Sequence, residues 1–77
     1  MNTEFRTYEL FVLPKSMENL NDLTKYLKSR FPEGSFLKLC KITCIVPNGT
    51  YVDDVEIAVE NYVSTHDGIY DWTVEGD

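Results

Sequence analysis

"SFLKLCKITCIV", Ser35 to Val46, is the stretch whose reading decides the fold. It is rich in strand-forming residues and is bounded by turn residues, Pro32 and Gly34 before it and Asn48 and Gly49 after it. As one continuous strand it would place Phe36, Cys40, Ile42, Cys44 and Val46 on one face. Leu37, Leu39 and Ile45 would share the other with Lys41 and Thr43. A strand apolar on both faces is usually central in its sheet. Folded back on itself, the same stretch would give the βαββαβ order of ferredoxin-like domains, but that needs a turn inside it. No Gly, Pro, Asn or Asp stands between Phe36 and Val46. The expectation is therefore a single strand.

Upstream, "RTYELFVL" over 6–13 alternates, with Tyr8, Leu10 and Val12 on one face and Phe11 and Leu13 on the other. Pro14 cannot donate to a ladder and ends the strand. Ser16 is a natural N-cap. Leu20, Leu23, Leu27 and Phe31 then recur at three- and four-residue spacing, which predicts an amphipathic helix over 17–31. Lys25, Lys28 and Arg30 suit its negative C-terminal end. Downstream, Asn48-Gly49 is a turn. Thr50 is expected to cap a second helix, with Asp53 completing a capping box and Val52, Val55, Val59 and Tyr62 forming its buried stripe. "IYDWTVEG" over 69–76 alternates as a last strand.

The predicted order is β-α-β-α-β in one domain spanning 1–77. This is a small α/β fold, or α+β if the strands pair antiparallel. Its three-stranded, mostly parallel sheet would have two helices packed on one face. That arrangement leaves the second sheet face uncovered, offering Phe11, Leu13, Leu37, Leu39 and Ile45 or their opposites as an interaction surface.

Several kinds of chemistry are disfavoured. A chain of 77 residues with 43 % hydrophobic residues uses most of its apolar groups for packing. His66 beside Asp67 is the only histidine, and neither Cys40 nor Cys44 has a partner that the sequence places beside it, so no catalytic residue is expected and the protein is read as not an enzyme. On one strand the two cysteines would lie about 13 Å apart, too far for a disulfide. "VDDVE" is a helix start and not a calcium loop, and no Gly-rich phosphate loop occurs, so neither a metal site nor a cofactor is expected. The longest apolar run near the start, Leu10 to Leu13, is far too short for a signal or a membrane span, which suggests a soluble, cytoplasmic protein with no membrane partner. A net charge of −6 argues against direct nucleic-acid binding, although Lys25, Lys28, Arg30, Lys38 and Lys41 gather near Tyr26.

The charge distribution carries the functional expectation. Residues 1–41 hold all seven cations and five acids, a balance of +2. Residues 42–77 hold eight acids and no cation, a balance of −8. A one-signed surface attracts a basic partner over about 8–10 Å in ordinary salt. Proteins whose clefts expect phosphates, such as nucleic-acid enzymes, are natural partners of that kind. The expected function is a non-enzymatic protein-binding module, an inhibitor or regulator. Asp53, Asp54, Glu56 and Glu60 would contact the partner, and Tyr62, Tyr70 and Trp72 would anchor it. In size and charge the chain is similar in kind to small phage-encoded inhibitors of host or anti-phage enzymes, which would place it in the host cytoplasm. The alternative is a homodimeric accessory subunit joined through the open sheet face.

Overall fold

The computed structural model describes residues 4–76. Six elements follow one another: β1 (Phe5–Pro14), α1 (Met17–Arg30), β2 (Ser35–Lys38), β3 (Lys41–Pro47), α2 (Val52–Thr65) and β4 (Ile69–Gly76). The fold is α+β, a four-stranded sheet in the order β2-β3-β1-β4 with every neighbouring pair antiparallel.

The expected single strand over 35–46 is two strands. Lys38 pairs with Lys41 across a two-residue hairpin loop, Leu39-Cys40. Leu39 takes a φ of +58°, the left-handed conformation that usually calls for Gly or Asn. The loop is tied down at its second residue, where the Cys40 carbonyl accepts from the Val12 N–H at 3.0 Å. A two-residue reversal also changes which residues share a face. Ser35 and Leu37 of β2 come into phase with Ile42, Cys44 and Val46 of β3, while Phe36, expected on that face, turns outward with Thr43. The stretch that looked apolar on both faces is thus two half-buried strands.

The extra reversal also corrects the expected parallel sheet. β2 runs parallel to β1, but β3 lies between them and antiparallel to both. Each helix still crosses over the sheet, and the topology is the split βαβ order that the missing turn signal had argued against.

Both helices cover one sheet face. Leu20, Leu23 and Leu27 of α1 and Val55, Ala58, Val59 and Tyr62 of α2 pack with Tyr8, Leu10, Val12, Ile42, Cys44 and Val46. Leu10 sits at the centre, flanked in register by Ile42 and Val74, and is fully buried. Helix α1 starts as its sequence predicts, with the Asn19 N–H donating to Ser16 Oγ. Helix α2 starts one residue later than expected. Tyr51 is its N-cap, and the Tyr51 N–H donates to Asp54 Oδ2 at 2.8 Å. Thr50 serves the turn instead: its N–H donates to the Pro47 carbonyl and its own carbonyl accepts from the Tyr8 hydroxyl at 2.8 Å.

Candidate protein-interaction surface

The buried stripe of α2, Val55, Ala58, Val59 and Tyr62, fixes which residues point away from the core. With 3.6 residues per turn, Asp53, Ile57, Glu60 and Ser64 form the opposite stripe, with Glu56 on one flank and Asp54 and Asn61 on the other. Asp53, Asp54 and Glu60 are exposed and Glu56 is half-exposed. Ile57 is 52 % exposed in their midst. Among the described residues the ion pairs are Lys15–Asp67 and Lys41–Glu9, and neither uses an acid of α2. The outer face of α2 is therefore an apolar side chain surrounded by acids that no cation of the fold neutralises.

The four predicted acids do not play equal parts. Asp54 is spent on the helix start, where its carboxylate accepts from the Tyr51 N–H. Asp53, Glu56 and Glu60 have no such task. Ile57 and the exposed Tyr51 were not among the predicted contacts. Ile57 was legible, because it follows Asp53 by four residues and so must share its face.

The three predicted aromatic anchors are placed differently from one another. Tyr62 is corrected as an anchor, while its place on the buried stripe of α2 holds: it is 4 % exposed and belongs to the core between the helices. Its ring lies 5.3 Å from that of Tyr26 and stacks on His66 at 4.0 Å. Burial, with a lesser push from the Asp22 carboxylate, raises the Tyr62 phenol above its ordinary value. Tyr70 is exposed at the start of β4, near the bulge where the register with β1 shifts, and Lys15 Nζ lies 5.8 Å from its ring centre. Trp72 is half-buried on the helix-facing side, paired with Val12. Asp71 and Glu75 point to the other side of the sheet, in register with Leu13 and Glu9. The C-terminal acids thus divide between two faces, with α2 on the helix layer and β4 on the bare sheet. Asp77 lies outside the described residues.

That bare sheet face is the second surface. The strand registers place Phe5, Phe11, Leu13 and Phe36 on it, all exposed, together with half-buried Ile45. The expectation of Phe11, Leu13 and Ile45 on this face holds. Leu37 is corrected to the core side, and Leu39 to the hairpin tip, where it is 82 % exposed.

The thiols are not alike. Cys44 is fully buried, and burial pushes its thiol up although the Ser35 hydroxyl approaches its sulfur at 3.9 Å. That is the reverse of what an activated nucleophile requires. Cys40, expected within a continuous strand, is exposed in the hairpin loop because the strand ends before it. His66 closes α2, its Nδ1 3.0 Å from the Tyr62 carbonyl and 2.9 Å from Thr65 Oγ1. Among the described residues no three His, Cys, Asp or Glu side chains converge as a metal set would. No described helix is long and apolar enough to cross a membrane. The chain matches no family model, no curated protein and no solved structure.

Proposed function

We propose that the protein is a non-enzymatic binding module that engages a basic protein through the outer face of α2 and thereby inhibits or regulates it. The observation that carries this reading is Ile57, half exposed and surrounded by Asp53, Glu56 and Glu60, with no cation among the described residues paired to any of them. Binding energy concentrates where an apolar anchor is desolvated inside a rim of complementary charge. The acids sit on a rigid helix, with Asp53, Glu56 and Glu60 spaced about one turn, roughly 5.4 Å, along its axis. A cleft shaped for successive phosphates offers cations to a row of that kind, so a nucleic-acid enzyme is the class of partner proposed.

The test is capture from a lysate of the source or host with tagged protein, Asp53→Lys/Glu60→Lys and Ile57→Asp in parallel. Circular dichroism confirms that each variant folds. The expected result is a basic protein held by the wild type at about 50 mM salt, shed near 500 mM, and lost by both variants. Equal recovery of the same protein by wild type and variants would overturn the reading. Asp54 is left out of the set because its loss would disturb the helix start as well as the surface.

A further inference from the structure

We propose that the bare sheet face is a self-association surface. Two copies pack sheet to sheet about a two-fold axis parallel to the strands, so that β2 of each lies over β4 of the other. The inference stands apart from the function proposed for α2, whose outer face is on the opposite side of the molecule.

The carrying observation is a pair of like-charge contacts of opposite sign on this face. Lys38 and Lys41 are directly opposite each other where β2 meets β3. Glu9 and Glu75 are directly opposite where β1 meets β4. Like charges across a ladder are unfavourable in an isolated sheet. One ion pair, Lys41 with Glu9 at 3.1 Å, joins the two sites across mid-sheet. Lys38 at one edge and Asp71 and Glu75 at the other have no ion-pair partner among the described residues.

A bare face that is basic at one edge, acidic at the other and aromatic between is complementary to itself in one orientation. A two-fold axis along the strands exchanges the edges, bringing Lys38 over Asp71 and Glu75 of the second copy. An in-plane axis across the strands would instead set β2 over β2 and lysine over lysine. The favoured orientation also stacks Phe11 near Lys41 of the second copy and sets Leu13 toward its hairpin tip, where Leu39 is exposed. Aligned sheets pack about 10 Å apart, a gap that lysine and aromatic side chains fill. Four strands at about 4.8 Å, roughly 25 Å long, cover on the order of 500 Å² per copy and about 1,000 Å² together, the low end for a specific interface. The dimer is accordingly weak, reversible and salt-sensitive.

Sedimentation equilibrium from about 5 μM to about 1 mM tests it, since such an interface dissociates in the micromolar range. The expected result is a monomer–dimer equilibrium that weakens with added salt and is abolished by Phe11→Asp. Lys38→Glu alone, and Asp71→Lys/Glu75→Lys alone, should each raise the dissociation constant about tenfold, because the two-fold repeats every contact. The three substitutions together should restore it. Asp53→Lys/Glu60→Lys should dimerise as the wild type does, which separates this result from the fate of the α2 surface. A monomer at every concentration would overturn the proposal. So would open-ended association, or a dimer that ignores the charge swaps or is not rescued by combining them. Carbodiimide links between Lys38 and Asp71 or Glu75 in a dimer-sized band give an independent check, since within one chain those strands lie about 14 Å apart.

Discussion

Replacing Leu39 with glycine removes a large hydrophobic residue from a small protein, and the structure predicts that the protein becomes more stable. Leu39 is 82 % exposed, so truncation forfeits almost no buried area. Its φ of +58° is left-handed, a conformation that costs a residue with a Cβ about 1–2 kcal/mol. Glycine escapes that cost but adds about 0.4–1 kcal/mol of unfolded-chain entropy. The difference of the mid-values is a gain of about 0.8 kcal/mol, which for a domain of this size raises Tm by about 3–6 °C. Thermal melts and urea titrations of dilute protein measure it, with an unchanged urea slope showing that the substitution leaves the surface exposed on unfolding the same. Cys40→Gly is the matched control. Cys40 is the neighbouring loop residue without positive φ, so glycine there brings only the entropy cost and should lower Tm. If Leu39→Gly lowers Tm as much as Cys40→Gly does, the assignment of strain to this hairpin is wrong. The same variant should dimerise less well, because Leu39 faces Leu13 of the second copy in the proposed assembly.

Three further outcomes follow from described contacts. Asp54→Ala removes the acceptor of the Tyr51 N–H and should cost about 1 kcal/mol by urea unfolding, while Asp53→Ala stays within about 0.5 kcal/mol of wild type. Gly68→Ala would drive a methyl into the Asn19 side chain, whose Oδ1 accepts from the Ser16 hydroxyl. It should cost about 1–3 kcal/mol, and less in an Asn19→Ala background. Stability should also fall in alkali. The folded state raises both the Cys44 thiol, from 9.0, and the Tyr62 phenol, from 10.0, so it holds those protons more tightly than the unfolded chain does. The stabilisation is complete below the unfolded values and is lost as pH climbs through about 9 and then 10. Urea midpoints between pH 7 and 11 should show this decline, with its first part flattened in Cys44→Ala.

Most of the fold was legible where side-chain period and local chemistry agree. Leu20, Leu23 and Leu27 behind Ser16 specify α1, and the alternation of Tyr8, Leu10 and Val12 specifies β1. The hairpin was not legible from its residues, because a leucine and a cysteine occupy a loop that normally advertises itself with Gly or Asn. Length did carry a warning. A strand over 35–46 would have twelve residues and span about 40 Å, beyond the usual range of three to ten. The α2 start shifted by one because Asp54, and not Asp53, reaches back to the chain before it. At the candidate site, charge named Asp53, Asp54, Glu56 and Glu60, whereas period could have added Ile57 and, having already set Tyr62 on the buried stripe, removed it from the anchors. Tyr62 follows Val55 and Val59 by seven and three residues, a spacing that puts it on the buried stripe.

Strand β4 is long but shallow, and that makes it prone to open before the rest of the sheet that it joins at β1. It pairs with β1 along most of its length, yet none of its residues is fully buried, and Ile69, Trp72 and Val74 are only half so. At its Ile69 end the strand is moored by the Lys15 N–H donating to the Gly68 carbonyl at 2.8 Å and by the Lys15–Asp67 ion pair. Detachment should therefore run from the Gly76 end toward that mooring, ahead of global unfolding, and amides of β4 should exchange with solvent before those between β1 and β3. Each such opening bares the flank of β1, an apolar strand with unpaired backbone groups, which another molecule's β4 can fill. Concentrated solutions are then exposed to strand exchange, and the rate of that exchange is set by how firmly Lys15 and Gly68 hold the hinge.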